Sequence, residues 1–542
     1  MNDSNKIKVG LLLDDLTVPF WVNSLINALR KDSRFVIHCV VLNVGTKPKS
    51  RSSFVYRLLR KADERLMALP GNPFKRVVLD VKTKNIIEVE PIRKKFSDYF
   101  PDEVIQKIEQ DRPDIFLRFG FRILRGKILA AARYGIFSLH HGDTATFRGG
   151  PPAFWEVVKK APVTAVTLQV LTEALDAGVI LAKVFLRTDN TSFYRNQQKI
   201  YWAGYQLFLD QLGKLPQYGI ENYINSQKPI FANEPKGKLY RNPQNFSSAF
   251  ILVQYLLRGL SRFCSNKLFN NQWQILIGQK TNLSLQEKPN KFFSLTPPKD
   301  RIWADPFIAK HNDKYYLLFE EKLNQSKHAH ISCLELNEKG EPLSKNPVVV
   351  VKENYHLSYP FVFSHNNQFY MIPESAEDKS VVMYRSVNFP YQWEKERILL
   401  DDKLIYDTTL HHHSDGRWYL FCTEKEDSRF SSDAYFHIYY ADSPEGPFLP
   451  HPKNPVYSDV RKSRPAGALF YQNENLIRPA QISAPHYGFG IAYFNVLTLS
   501  PDDYKEELIF EEFPQDGYQS THTINQLDSL VVYDVQKKVF KI

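Results

Sequence analysis

The chain has 542 residues, of which 43% are hydrophobic and 14% aromatic, a length that exceeds what one ordinary core accommodates. Its net charge of +11 is uneven, at +20 over residues 1–300 and −9 over residues 301–542, which indicates two differently specialised halves. No apolar run reaches the ~20 residues that cross a bilayer, and the four cysteines lack the spacing of a zinc site or a disulfide framework. We therefore expect a reduced, cytoplasmic, multidomain protein without a bound metal.

The first part of the chain alternates between short apolar strands and amphipathic helices. Strands are predicted at residues 6–14, 35–42, 113–121, 135–140 and 165–171. A helix is predicted at residues 21–30, and another follows the third strand and ends near residue 132. This order predicts an α/β domain with a parallel sheet, whose functional loops lie at the strand ends.

The segment that follows is mainly helical and polar. We interpret residues 1–210 as the first domain and residues 211–269 as a helical connector. Within the connector, an amphipathic stretch ends near residue 263. This stretch predicts either a helix that packs between domains or a peripheral helix that contacts a membrane surface.

Residues 270–542 repeat one pattern, in which a strand, a polar turn and an aromatic-rich strand follow one another. The five copies begin at Asp305, Tyr359, Asp407, Arg464 and His522. Their spacing of roughly 48 to 58 residues is typical of four-stranded propeller blades. The pattern thus predicts an all-β five-bladed propeller, and the apolar segment 272–278 could supply the strand that closes it.

Two linked motifs stand out in the first domain, SLHHGDTATFRGGPPAFW at residues 138–155 and VTAVTLQVLTEALDAGVIL at residues 163–181. They resemble the folate-dependent formyltransferases, in which Asn-x-His opens a loop that ends in Arg-Gly-x-x-Pro and an aspartate follows in Leu-Asp-x-Gly. His140 stands at the family's histidine and Asp176 at its aspartate. The resemblance covers roughly residues 80–210 and implies 10-formyltetrahydrofolate as the formyl donor.

The resemblance also implies roles for individual residues. His140 would stabilise the oxyanion of the tetrahedral intermediate or move the amine proton, and Asp176 would orient the imidazole. Ser138 replaces the family's asparagine and reaches less far, which leaves open whether formylation persists; His141 could compensate as a second imidazole. The residues implied in folate binding are Gly120, Phe121, Asp143, Arg148, Gly149, Gly150 and Pro152.

The repeated half carries its own motifs, namely WADPF, SYPF, IPES, YDTTL and SRPAG. Through them it resembles the propeller of glucosamine inositolphosphorylceramide transferases and, more distantly, five-bladed arabinanases and xylosidases. The resemblance implies a site that contains acidic residues from successive blades, and converging carboxylates predict a raised pKa for at least one of them. The predicted site residues are Asp305, Glu320, Glu374 and Asp407, with Arg464 for an anionic group and Trp303 and Tyr359 for stacking on a sugar.

Together the two resemblances predict formyl transfer to an amine of an amino sugar or sugar-linked acceptor, with a propeller that binds carbohydrate. Two alternatives stay open. One is a carbohydrate-active propeller enzyme with a degenerate formyltransferase domain, and the other is a non-catalytic glycan-binding scaffold. The expected partners are folate and an amino sugar or glycan. Nucleic acid is not expected, because the small barrel domain of the tRNA enzymes does not follow the first domain here.

Overall fold

The computed structural model describes residues 6–46, 52–81, 83, 85–173, 178–231, 237–280, 287, 289, 292–515 and 517–541. The chain forms two compact units, Met1–Gly259 and Leu260–Ile542. The first unit combines helices with a mostly parallel sheet, and the second consists of antiparallel sheets. The predicted succession of an α/β part and an all-β part is therefore confirmed.

The first unit contains fourteen strands among the described residues. They are β1 (Ile7–Leu13), β2 (Thr17–Pro19), β3 (Phe35–Asn43), β4 (Arg76–Val78), β5 (Ile86–Val89), β6 (Ile92–Lys94), β7 (Ser97–Tyr99), β8 (Ile115–Arg118), β9 (Ile123–Leu124), β10 (Ile136–His140), β11 (Phe147–Gly149), β12 (Val163–Val170), β13 (Val179–Arg187) and β14 (Lys238–Tyr240). The helices are α1 (Phe20–Lys31), α2 (Phe54–Met67), α3 (Asp102–Gln110), α4 (Trp155–Lys159), α5 (Phe193–Tyr218), α6 (Ile220–Gln227) and α7, which begins in this unit and covers Asn245–Leu268.

The central sheet of the first unit has the order β13-β12-β10-β8-β1-β3-β5. The strands from β10 to β5 are parallel, and β12 and β13 are antiparallel to their neighbours. Strands β1 and β8 consist mainly of buried apolar residues because both faces of a parallel sheet are covered, and β10 begins with the buried Ile136 and Phe137. Their carboxyl ends lie side by side, which brings the loops after residues 13, 118 and 140 together.

Two differences from the predicted elements have clear physical reasons. The helix expected to end near residue 132 is only a short 3-10 turn, Gly126–Ala130, since a glycine with φ of +77° begins it. The boundary expected at residue 210 falls inside α5, which packs against β12 and β13. The segment interpreted as a separate connector is therefore divided, because most of its helical residues fall within the first unit and the remainder within the second.

The second unit has twenty-one strands among the described residues. They are β15 (Phe269–Gln279), β16 (Phe292–Leu295), β17 (Arg301–His311), β18 (Lys314–Leu323), β19 (His330–Leu336), β20 (Val348–Val351), β21 (Ser358–His365), β22 (Gln368–Glu374), β23 (Val381–Asn388), β24 (Gln392–Leu400), β25 (Leu404–His412), β26 (Trp418–Lys425), β27 (Tyr435–Ala441), β28 (Leu449–Pro450), β29 (Tyr457–Ser458), β30 (Phe470–Gln472), β31 (Asn475–Ile482), β32 (Gly490–Leu499), β33 (Tyr504–Glu512), β34 (Ile524–Leu527) and β35 (Leu530–Phe540).

These strands form five antiparallel sheets within the described part of the unit: β17–β20, β21–β24, β25–β28 with β29 also on β27, β30–β33, and β16-β15-β35-β34. The last sheet joins both ends of the unit, since β15 pairs with β35 along its whole length, and it contains the predicted closing segment 272–278. Apolar clusters fill the space between each sheet and the next, and a further cluster lies between the last sheet and the first.

A bulge recurs at one position in three successive sheets. The register of the first strand shifts between residues 304 and 307, 358 and 361, and 406 and 409. At these bulges Asp305, Tyr359 and Asp407 have φ values of 51°, 43° and 51°, in the left-handed region that side chains rarely adopt. Each such residue costs about 1–3 kcal/mol, so their recurrence indicates that the bulges serve the arrangement of a site.

Candidate functional site

A cavity of about 520 Å³ opens in the second unit where the first strands of its sheets meet. Its lining includes Asp305, Glu320 and Glu374, three of the acidic residues predicted from the sequence. The volume lies within the range of about 300–1,000 Å³ that is typical of small-molecule sites. Asp305 and Glu374 therefore lie at one cavity as predicted, together with Glu320, whereas the predicted Asp407 is not part of its lining.

Glu320 and Glu374 occupy equivalent positions in neighbouring sheets. Glu320 pairs with Ala304 and Glu374 with Ser358, in each case at the residue before the bulge. Burial, together with the negative charge of Asp305, raises the pKa of Glu320. Burial and then the charge of Asp407 raise the pKa of Glu374 to about 7. The raised carboxyl pKa that converging acids predict is thus present at both glutamates.

Asp305 is held at the bulge by a network of hydrogen bonds. Its carboxylate accepts from the hydroxyl of Thr523 at 2.6 Å and from the backbone N–H of Tyr359 at 3.3 Å. Burial raises the pKa of Asp305 to about 6, although the neighbouring His522 opposes that rise. Because the bonds come from two other sheets, Asp305 links three sheets at the edge of the cavity.

Arg464 lines the cavity, but its donor groups are committed to the protein itself. It donates to Asp407 at 2.5 and 3.1 Å and to Asp433 at 3.1 Å. Its guanidinium lies over the rings of Tyr406 and Tyr487, 5.4 and 5.3 Å from their centroids. Two buried carboxylates already neutralise Arg464, which disfavours an anionic ligand; that Arg464 binds an anionic group stays a prediction.

Asp407 does not line the cavity. Only 1% of its surface is exposed, and besides Arg464 it accepts a hydrogen bond from Gln481 at 2.8 Å. Its role is to hold Arg464 in the wall of the cavity, because a buried arginine requires a charged partner. Glu320 replaces it in the set of carboxyl groups that can reach a ligand.

His522 lies opposite Asp305 and was not predicted as a site residue, although it begins the fifth repeat. It forms a 2.5 Å ion pair with Asp534 and stacks on Trp273 with ring centroids 4.2 Å apart. Burial alone would lower its pKa, but Asp534 and Asp305 raise the pKa of His522 to about 9. Donor atoms of these three side chains lie within 4.8 Å of one another, as in a metal site. With its pKa raised to about 9, His522 is protonated at neutral pH, and its imidazolium neutralises the carboxylates beside it.

The aromatic side chains of the cavity differ from those predicted. Tyr359 is fully buried, its hydroxyl bonded to the backbone N–H of Gly467 at 2.7 Å. Trp303 packs against Phe319 and donates its indole N–H to Glu321 at 3.2 Å. Neither lines the cavity, so the predicted stacking on a sugar is wrong for both. The aromatic lining consists of Trp273, Tyr406 and Tyr487.

Glu374→Gln is expected to flatten the pH dependence of the second unit's stability. The folded-state pKa of about 7 lies above the model-compound value of 4.5, so the native state holds the proton longer than the unfolded state. Stability therefore falls as pH rises through this window, by at most about 3 kcal/mol for one such group. Urea unfolding at several pH values, followed by hydrogen exchange of peptides from residues 301–541, measures the effect.

Glu394→Gln provides the control for that experiment, because the Glu394 side chain is 67% exposed on β24. It is expected to leave the pH profile unchanged. A Glu374→Gln profile as steep as that of the unsubstituted protein would show that the proton is held elsewhere.

In the first unit, Ser138 lies in the sheet and is 1% exposed. Its hydroxyl accepts a hydrogen bond at 3.1 Å from Arg118, which also donates to the carbonyls of Phe121 and Arg122. Arg118 thereby ties the ends of β8 and β10 together. An arginine inside an apolar strand indicates that a buried polar partner is nearby, but the sequence does not identify Ser138 as that partner.

The two adjacent histidines point to different surroundings. His140 ends β10, and its Nε2 lies 3.1 Å from the carbonyl of Phe147 across the predicted loop. His141 stacks on Tyr201 of α5, with ring centroids 3.8 Å apart. Burial lowers the pKa of His141 to about 3. His141 therefore packs under α5 and is not the second imidazole of the loop that was expected.

The residues implied in folate binding form the framework of the loop. Asp143 accepts from the backbone N–H of Ala145 at 3.1 Å and pairs with the buried Lys183 at 2.7 Å. Although burial opposes it, the bond from Lys183 lowers the pKa of Asp143. Arg148 and Gly149 lie in β11, which pairs with β14, and a Cβ at Gly149 would lie 2.3 Å from a carbonyl oxygen of β14.

The remaining residues implied in folate binding lie either in the loop before α4 or directly after β8. Gly150 accepts a hydrogen bond from the indole of Trp155 at 3.2 Å, and Pro152 lines a small apolar pocket. Gly120 and Phe121 follow β8, where the N–H of Phe121 donates to Asp14 at 2.7 Å. Phe121 is 7% exposed and belongs to the core beside the sheet, so it is not available to a ligand. Asp176 lies outside the described residues.

Comparison with known proteins finds sequence relatives for each half of the chain. Residues 296–526 match the family described as glucosamine inositolphosphorylceramide transferase 1, N-terminal. The glucosamine inositolphosphorylceramide transferase 1 of Arabidopsis thaliana is 34% identical over 208 residues, which make up 38% of this chain and 26% of that relative. The chain therefore spans about a quarter of the length of that relative.

For the first half, the methionyl-tRNA formyltransferase of Bacillus licheniformis is 30% identical over 117 residues, or 20% of this chain and 37% of that protein. Among solved structures, the family 117 glycoside hydrolase Zg3597 of Zobellia galactanivorans has a TM-score of 0.32 at 12% identity, covering 49% of this chain and 90% of that one. A TM-score this low supports no argument about function. The resemblances predicted from the motifs of both halves are confirmed by the sequence relatives.

No helix in the described part of the chain combines the length and the apolar character that a bilayer span requires.

Proposed function

We propose that the second unit binds an amino sugar, or a glycan that carries a free amine, and that the first unit transfers a formyl group from 10-formyltetrahydrofolate to such an amine. The observation that supports the sugar site is the excess of buried carboxyl groups around one cavity. The formyl transfer follows from the match of the loop motif and from the formyltransferase relatives of the first half.

The arrangement of the second unit supports a ring of five blades. Five sheets pack through five apolar clusters, and the last cluster joins the last sheet to the first. The first strands of neighbouring sheets contact one another, as β17 does β21 and β21 does β25. A closed ring places the bulges at its centre, which explains why Asp305 and His522, 217 positions apart in the chain, line one cavity.

The charge of the cavity favours a cationic ligand. Arg464 is neutralised by Asp407 and Asp433, and His522 by Asp534. Among the lining residues this leaves Lys322 to face several carboxyl groups. His356 lies 3.6 Å from Glu320, but burial lowers the pKa of His356 to about 4, so it adds no charge near neutral pH. Burial and then mutual repulsion raise the pKa values of these carboxyls, and an ammonium group would offset both by stabilising their charged forms.

The other lining groups suit a sugar ring. Trp273, Tyr406 and Tyr487 offer flat apolar surfaces beside the carboxyl groups. Sugars present apolar C–H faces and a rim of hydroxyls, and carboxyl oxygens can accept from those hydroxyls or donate to them when protonated. A mixture of aromatic faces and convergent polar groups is the composition expected of a specific small-molecule site.

In the first unit, the loop between β10 and α4 supports the proposed reaction. The amine nitrogen attacks the formyl carbon, a new C–N bond forms, the bond to the folate nitrogen breaks, and the amine loses a proton. If His140 donates from Nε2 to the carbonyl of Phe147, the lone pair that accepts a proton is on Nδ1. His140 would then be the base for the amine proton.

A second candidate is cleavage or transfer of a glycosidic bond in the cavity. One specific observation favours it, since Glu374, with a pKa of about 7, is protonated often enough to act as a general acid. Release of reducing ends from glucosamine-containing oligosaccharides without any folate would support this candidate. Binding without turnover would favour a recognition site.

Calorimetric titration of the full chain with glucosamine and with N-acetylglucosamine tests the proposal. Glucosamine is expected to bind at least about tenfold more tightly, because only it presents an ammonium group to Glu320 and Glu374. In Glu320→Gln the preference should disappear, whereas Glu394→Gln, on the exposed strand β24, should retain it. Equal affinities for the two sugars in the unsubstituted protein would contradict the proposed ligand.

A further inference from the structure

Helices α2 and α7 expose a broad apolar face on the first unit. Phe246 is 90% exposed and Phe54 is 67% exposed, values far above those expected of aromatic residues on an inert surface. We name this surface the α2/α7 face. Its apolar members are Phe54, Leu58, Phe246, Phe250, Val253, Leu256 and Leu257.

The two helices are fixed together by their inner faces. Tyr56 and Leu59 of α2 share an apolar cluster with Ile251 of α7. The hydroxyl of Tyr255 donates to Asp63 at 2.7 Å, and Ser53 and Ser248 are hydrogen-bonded at 3.3 Å. Because the inner faces are packed, the exposed apolar side chains cannot turn inward without breaking these contacts.

The charges around the face have one predominant sign. The exposed cations of α2 are Arg57, Arg60, Lys61 and Arg65. Helix α7 has no acidic residue, and its Arg258 donates to the carbonyls of Val157 and Val158 on the packed side, so the bordering cations are those of α2. Of the two acidic residues of α2, Asp63 is buried and bonded to Ser192 and Tyr255, which leaves Glu64 at the surface. The apolar face is therefore bordered by positive charge.

The width of the face distinguishes between possible occupants. Phe246, Phe250, Val253 and Leu257 recur at spacings of four, three and four along α7, as in the seam of a coiled coil. Leu256 and the apolar residues of α2 extend the surface well beyond such a seam. A pairing helix would also require acidic partners for the cations, and each copy of this chain presents mainly cations here. A flat anionic surface satisfies both the width and the charge.

We propose that the α2/α7 face docks on a membrane surface that contains anionic lipids, with the phenylalanines inserted at the boundary between headgroups and acyl chains. This inference is independent of the sugar cavity and of formyl transfer. It develops the expectation of a peripheral helix, and it adds α2 as the second half of the surface.

Co-sedimentation of the full chain with vesicles tests the proposal. The protein is expected to bind vesicles of phosphatidylcholine with phosphatidylserine, to bind phosphatidylcholine alone more weakly, and to lose affinity at high salt. Phe246→Ser and Phe250→Ser should each lower the partition coefficient roughly tenfold, because each removes a large apolar side chain from the inserted face. Lys61→Glu with Arg65→Glu should lower it for anionic vesicles only.

The double variant Leu497→Ser with Leu508→Ser is the matched control, because those leucines are 55% and 53% exposed in the second unit. It should bind vesicles like the unsubstituted protein. All substituted positions are exposed, and unchanged urea unfolding curves would verify that the folds are intact. Absence of binding to anionic vesicles would overturn the proposal. So would a dimer in sedimentation velocity that Phe246→Ser dissociates while vesicle binding persists, since the face would then belong to a second copy.

Discussion

Arg464→Met is expected to destabilise the second unit by about 3–5 kcal/mol, the cost of leaving buried carboxylates without their partner. The side chains of Asp407 and Asp433 are 2% and 5% exposed, so water cannot replace the guanidinium. Methionine keeps an apolar stem of similar length but removes the guanidinium, and with it the contacts over the rings of Tyr406 and Tyr487. The midpoint of urea unfolding, followed by hydrogen exchange of peptides from residues 404–483, measures the loss.

Arg461→Met is the matched control for this experiment. Arg461 pairs with Asp459 at 2.6 Å, but its side chain is 45% exposed, so the change should cost less than about 1 kcal/mol. Adding Asp407→Asn to Arg464→Met should recover part of the lost stability, since it removes one unpaired charge. A double variant no more stable than Arg464→Met would contradict the electrostatic explanation.

His140→Ala is expected to lower the rate of formyl transfer by roughly 100- to 10,000-fold, the usual contribution of a general base or an oxyanion donor. Asp176→Asn should have an effect of the same kind if Asp176 orients that imidazole. The assay measures tetrahydrofolate formed from 10-formyltetrahydrofolate, with an amino sugar as the acceptor and the full chain as the enzyme.

Two further variants make the result interpretable. His38→Ala removes another histidine of the same sheet, bound to Asp111 at 2.9 Å, and should leave the rate within about threefold of the unsubstituted protein. Ser138→Asn restores the family's residue and should maintain or raise the rate, because its amide can donate where the serine now accepts from Arg118. An unchanged rate in His140→Ala would remove His140 from the proposed reaction.

Much of the architecture was predictable because the periodic pattern of apolar residues determines where strands form. The apolar strands ending at residues 13, 118 and 140 follow from composition, and the repeat of about fifty residues gave the correct positions of the first strands at Asp305, Tyr359 and Asp407. The convergence of Glu320 and Glu374 follows from that repeat, since they occupy equivalent positions in successive sheets and both line the cavity.

The roles of single residues were less predictable, because they depend on contacts between distant parts of the chain. Asp407 and Asp305 occupy equivalent bulges, yet only Asp305 lines the cavity, because the Asp407 carboxylate is bound to Arg464. Tyr359 occupies the same position in the intervening sheet, but its hydroxyl is buried and accepts a hydrogen bond from the backbone N–H of Gly467. His141 follows His140 directly, and the alternation of a strand sends it to the opposite face, onto Tyr201.

The pH dependence of glucosamine binding to the full chain tests the central proposal most directly. Deprotonation of Asp305 and Glu374, with pKa values of about 6 and about 7, makes the cavity more negative. From about pH 5 to about pH 7 an amine with a pKa near 8 stays protonated, so affinity should rise roughly tenfold, while that of N-acetylglucosamine should not rise. Affinity for glucosamine that falls over this range would contradict the account, because the carboxyl groups would then bind sugars as proton donors to hydroxyls.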